Sequence, residues 1–169
     1  PGLSNLTAHE GFAPAGIVTI LSGVVIVIFA FVGAEIVTIA AAEVGAIAER
    51  RTDRLLDPSR SHGLPPFLAD DPGVDSGHMI AQYTQAAIVS ELKRLAAPAS
   101  VDSIPSSAMQ EDHVSMGWSA ARKLRRGIDG LTRVLAIEVL NAARGIDMRA
   151  PLAPGPGTAA VIAAVREHA

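Results

Sequence analysis

Apolar positions set the organisation of this chain before any other property does. From Ile17 to Ala42 nearly every residue is apolar, and Glu35 is the only charge. After Glu43 the run becomes amphipathic: Val44, Ile47, Ala48, Arg51 and Leu55 keep the helical period, so a helix can continue into this region. Asp57-Pro58 ends it, because the residue before a proline is pushed out of the helical region. Residues 59–77, rich in Pro, Gly and Asp, predict an ordered loop in which Gly63-Leu-Pro-Pro-Phe-Leu packs on something. A second helix is predicted over Met79–Ala97, capped by Ser76, with Ile80, Tyr83, Ala87, Leu92 and Leu95 near helical spacing. Pro98 and Pro105 bracket a connector.

Ser107 followed by Gln110 fits a capping box and predicts a third helix from Ser107 to about Arg144, with Glu111 and Asp112 in its first turn. Carboxylates there face the positive end of the helix dipole, which favours their charged form. Leu124, Ile128, Leu131, Leu135, Val139 and Ala142 form a regular seam that wants partner helices. Gly145 stops the helix, and a short Ala-rich helix is predicted over Thr158–His168. The fold class is all-α: long helices of a bundle, preceded by one long apolar helix.

Composition sharpens one part of this picture. Of 169 residues, 49% are hydrophobic and 18% charged, so helices are buried on most sides or part of the chain is meant for lipid. Ile17–Ala42 is long enough to span a bilayer, which takes roughly 20 residues. A buried core helix is the competing reading. Arg50, Arg51 and Arg54 follow this run with no Lys or Arg before it, so a spanning helix would end in the cytoplasm.

The net charge of −3 offers no basic face for nucleic acid. Without cysteine there is no disulfide framework and no thiolate metal site. His113 beside Asp112 lacks a second histidine at i+4, so no metal site is expected.

Several motifs stand in order along the C-terminal part: Gly63-Leu-Pro-Pro-Phe-Leu, Ser76-Gly-His-Met-Ile-Ala-Gln, Pro98-Ala-Ser-Val-Asp-Ser-Ile-Pro and Gln110-Glu-Asp-His-Val-Ser-Met. From about Val44 to Ala169 the chain resembles the C-terminal part of the histidine ammonia-lyase family. That resemblance implies non-oxidative loss of ammonia from L-histidine to give urocanate, in a cytoplasmic homotetramer with active sites built from more than one subunit. It also implies a methylidene-imidazolone electrophile, made from an Ala-Ser-Gly tripeptide, with a tyrosine as base. Glu111 matches the family's active-site glutamate, facing the substrate imidazole or amino group, and Met79 matches a methionine lining the imidazole pocket. On helix position alone, Met79 reads equally well as a core contact. No Ala-Ser-Gly occurs, so the expected cofactor complement of the chain itself is none, and the polypeptide alone is expected to be inactive.

Gly11-Phe-Ala-Pro-Ala-Gly and Phe29-Ala-Phe-Val-Gly-Ala-Glu-Ile-Val-Thr-Ile-Ala-Ala-Ala-Glu resemble the sixth transmembrane segment of APC-superfamily amino acid permeases, the group containing γ-aminobutyrate transporters. This resemblance implies a membrane-inserted Ile17–Ala42 with Glu35 near a substrate path. The expected organisation is therefore a chimera, with a permease-like apolar segment over residues 1–43 and a lyase-like helical region over residues 44–169. A helical association module without a ligand of its own is the third reading.

Overall fold

The computed structural model describes the backbone of residues 17–168 and the side chains of residues 33–168. Its described residues are all-helical: α1 (Ile17–Leu56), α2 (Met79–Leu95), α3 (Gly117–Asp147) and α4 (Pro156–Arg166), with short 3-10 turns at Pro66–Leu68 and Ser107–Met109. α1 runs without interruption through Glu43-Val44, so the apolar stretch is one end of a helix rather than a separate helix in front of the bundle. Among the described residues no helix is long and apolar enough to cross a membrane. The transmembrane expectation for Ile17–Ala42 falls largely on side chains outside the described residues.

α1, α2 and α3 pack on one another around Ala42, Ala48, Val89, Leu92, Leu95 and Val134. Leu92 is the wedge between them. A β-carbon built on Gly45 of α1 would lie 2.9 Å from its Cδ1, and one on Gly130 of α3 would lie 3.0 Å from its Cδ2. Each helical glycine costs about 1 kcal/mol relative to alanine, and here that cost is offset by close packing of a leucine that is 1% exposed.

The buried face of α3 carries Ala120, Gly127, Val134 and Asn141, every seventh residue. The expected seam lies elsewhere, for Ile128, Leu135 and Val139 are exposed. α3 thus has two stripes. Apart from Val134, its inner stripe is built of residues too small or polar to stand out in a hydrophobicity pattern, and the more apolar stripe carries the exposed Ile128, Leu135 and Val139.

The start of the third helix also needs correction, since α3 begins at Gly117 and not at Ser107. A capping residue is normally extended, whereas Ser107, Ala108 and Met109 have φ of 54°, 53° and 66°. Pairing of Pro105 with His113, together with the Val114 N–H donating to the Ile104 carbonyl at 3.0 Å, folds the segment into a hairpin-like loop. Glu111 and Asp112 therefore lie outside the helix, and the dipole argument for them lapses. α2 begins at Met79 as predicted, but Ser76 contributes its backbone carbonyl, not its side chain. α4 starts at Pro156, where a proline needs no N–H partner, and docks through buried Ile162 and an Arg166–Asp147 ion pair.

α1 stops where predicted, and the stop is reinforced by charge. The Asp57 carboxylate accepts from the Ser59 N–H at 2.9 Å, the Ser59 hydroxyl at 2.7 Å and Arg60 Nε at 2.6 Å. Bonding from the Ser59 hydroxyl, then from Arg60, holds the Asp57 carboxyl down at about 2, below its ordinary 3.8. A depressed carboxylate contributes in full above its unfolded pKa and is lost as pH falls through the folded value. The turn should thus stay closed down to pH 3.8 and open as pH approaches about 2. The Ser59 amide shift checks this; a midpoint near 3.8 would contradict it.

The loop after α1 packs as expected. Leu64 and Leu68 are buried with Leu56, and Leu55 and Met148 close over them.

Candidate active site

Met79 is the first residue of α2 and lines a cleft of about 380 Å³ with Glu49 and Asp53 of α1, Phe67 of the preceding turn, and Gln82 and Tyr83 one turn on. The cleft exists because a strained turn leads into α2. Phe67 and Leu68 have φ of 58° and 54°, and the Phe67 carbonyl accepts the His78 N–H at 2.8 Å. Gly77 completes the turn with φ +48°; a β-carbon there would stand 2.4 Å from the Phe67 carbonyl oxygen.

Inside the cleft the two acids differ. Asp53 is engaged by Arg60 at 2.8 Å and by Gln82 Nε2 at 3.2 Å. Glu49 has one carboxylate oxygen buried with no hydrogen-bond partner among the described residues.

Behind Met79, His78 Nδ1 lies 2.6 Å from Asn141 Oδ1, tying the start of α2 to α3. With the amide oxygen facing the ring, Nδ1 carries the proton and donates. Asn141 did not stand out in the sequence and His78 did so only as part of the Ser76-Gly-His-Met motif, because their pairing spans two helices and leaves no local pattern.

Glu111 sits elsewhere. It is exposed, in the loop between α2 and α3, with its N–H donating to the Ser106 carbonyl at 3.3 Å. It is not among the residues lining the Met79 cleft, so the chain by itself does not bring the two predicted site residues into one cavity. Both nevertheless adjoin backbone held in the left-handed region, at Phe67-Leu68 and at Ser107–Met109. Strain of this kind costs about 1–3 kcal/mol per residue and concentrates at functional sites. Beneath the Glu111 loop a second cleft, of about 280 Å³, is lined by Glu35, Ser100, Ser103 and His113.

Glu35, expected along a transport path, has a different task here. Its carboxylate accepts from the Ala99 N–H, the Ser100 N–H and the Ser100 hydroxyl, all at 3.0 Å. The sequence signal was present, a lone acid in an apolar run, but not the identity of its partner.

The electrophile implied by the lyase resemblance does not fit the residues present. The nearest described tripeptide, Asp75-Ser76-Gly77, has an aspartate in place of alanine. That aspartate is already committed, accepting from the backbone N–H groups of Asp70, Asp71 and Gly77, and these bonds hold its carboxyl below the ordinary range, the one from Gly77 most strongly.

Residues 30–167 match the aromatic amino acid lyase family. The match starts ahead of Glu43, so Glu35 and Ala40-Ala-Ala-Glu43 fall within it. The chain is 73% identical over 133 residues to histidine ammonia-lyase of Streptomyces avermitilis, covering 79% of this chain and 26% of that protein. Against histidine ammonia-lyase of Bradyrhizobium diazoefficiens identity is 54%, over 80% of this chain and 26% of the relative. Among solved structures, histidine ammonia-lyase from Trypanosoma cruzi superposes with a TM-score of 0.76 at 46% identity, over 79% of this chain and 26% of that one. Tyrosine aminomutase from Streptomyces globisporus gives 0.75 at 40%, with the same coverage. The chain thus spans about a quarter of the length of these relatives. With an all-helical fold matching theirs and a family match over most of its length, the chain belongs to the aromatic amino acid lyase family.

Proposed function

We propose that this chain forms one wall of a histidine ammonia-lyase active site, in which L-histidine loses ammonia to give urocanate. The observation that carries the reading is the 73% identity to a histidine ammonia-lyase over 79% of the chain. Its share of the chemistry is binding and orientation. Glu111 holds the imidazole or the ammonium group of the substrate by a charge-assisted hydrogen bond, and the Met79 thioether lies against the imidazole ring.

Elimination must break an unacidic C–H bond beside a poor leaving group, and the methylidene-imidazolone of the family supplies the electrophile that helps the amine depart. This chain has no Ala-Ser-Gly from which to make it, so the chain is inactive by itself and works beside a segment that carries one. The exposed stripe of Ile128, Leu135 and Val139 on α3 is the surface on which further helices pack, in keeping with a homotetramer. A cytoplasmic location goes with this reading.

Co-expression with the Streptomyces avermitilis lyase lacking the matching quarter tests the proposal. Restored ammonia release and urocanate formation from histidine, with none from tyrosine or phenylalanine, is the expected result. Turnover of tyrosine or phenylalanine in preference to histidine would refute the substrate assignment.

A further inference from the structure

Glu35 lies far along the sequence from Glu111, yet it holds the root of the loop on which Glu111 stands. One carboxylate oxygen accepts both the Ala99 and the Ser100 N–H, and the other accepts the Ser100 hydroxyl. Hydrogen bonds to an ionised acceptor are roughly twice as strong as neutral ones. A second pin comes from α3, where Lys123 Nζ donates to the Ala97 carbonyl at 2.6 Å.

Between the root and the start of α3, the hydrogen bonds of the loop among the described residues are internal to it. The Ser103 hydroxyl donates to the Val114 carbonyl at 2.6 Å, Val114 N–H donates to the Ile104 carbonyl, and Pro105 pairs with His113. Such a hairpin keeps its shape but takes its direction from its base. Glu111 is exposed near the tip, and its place relative to the helices follows from how the two legs are held, residues 97–100 by Glu35 and Lys123 and Met116 by the first turn of α3.

We propose that Glu35 is a positioning residue for Glu111: by gathering three donors at the root of the 98–116 loop, it sets where the Glu111 carboxylate meets the substrate. This rests on the reading of Glu111 as substrate-facing. It predicts that loss of the clamp weakens substrate binding as well as turnover, because Glu111 touches the substrate in the ground state. A variant that only lowers the folded fraction would reduce apparent kcat and leave KM unchanged.

The test uses the whole chain with Glu35→Ala and Glu35→Gln. In the chain alone, amide hydrogen exchange at Ala99 and Ser100 should quicken about tenfold or more in Glu35→Ala, while Val114, bonded within the hairpin, should change little. Glu35→Gln should recover most of the protection, since its amide oxygen still accepts both N–H groups. When these chains replace the unaltered one in the restored lyase, Glu35→Ala should raise KM for histidine and lower kcat/KM by roughly 10- to 100-fold, the scale of a misplacement of about 1 Å. Unchanged exchange, or an unchanged KM, would overturn the proposal. If the unaltered chain restores no turnover, the lyase reading fails instead, and the exchange measurement still decides the clamp.

Discussion

Leu92→Ala is expected to lower the stability of the chain by about 3–5 kcal/mol, the upper part of the range for leucine truncation in a core. The reason is what surrounds the side chain. Its two methyls rest against the backbones of α1 at Gly45 and α3 at Gly130, with Ile88 and Val89 beside them. Where a cavity is walled by side chains, neighbours can swing in and recover part of the loss; helix backbone cannot. Leu92→Met, which keeps the volume, should cost less than about 1.5 kcal/mol. Urea unfolding followed by circular dichroism measures both. A loss of under about 1 kcal/mol for the alanine variant would mean that the three helices do not meet at this residue.

Glu111→Ala should lower histidine turnover by the restored lyase by about 10²- to 10³-fold, the range for removing one charged or polar group that acts on the reacting substrate. Glu111→Gln keeps the shape and loses the charge, so it should recover little if the partner is a cationic imidazole or ammonium group. Because Glu111 is exposed and outside the packed core, neither change should disturb the fold, and the melting curve of the chain should stay in place. An activity within threefold or so of the unaltered chain would remove Glu111 from the site.

Local physics accounts for the parts of the fold that were legible and for those that were not. Helix stops and starts set by proline and by strict apolar period came through: α1 ends at Leu56 before Asp57-Pro58, and α2 begins at Met79. The false start at Ser107 has the right residues for a cap, but the pairing of Pro105 with His113 outweighs a local preference worth about 1 kcal/mol. The inner face of α3 was missed because Gly127 and Ala120 contribute closeness rather than hydrophobicity.

The site divides in the same way. Met79 and Glu111 are proposed through resemblance of whole motifs, as nothing in their immediate surroundings demands a methionine or a glutamate. Glu35 was conspicuous as a lone acid among apolar residues, but the donors that need it lie beyond α2, and only the fold brings them to it.

The central claim is the proposal that this chain supplies Met79 and Glu111 to histidine ammonia-lyase active sites that other segments complete and whose electrophile lies outside it. Titrating the chain into the truncated Streptomyces avermitilis lyase and following urocanate tests it most directly. The account predicts no urocanate from either polypeptide alone and a histidine-dependent rate that rises with added chain and saturates. Urocanate formed by the isolated chain, or none formed although the two polypeptides co-purify as a complex, would contradict it.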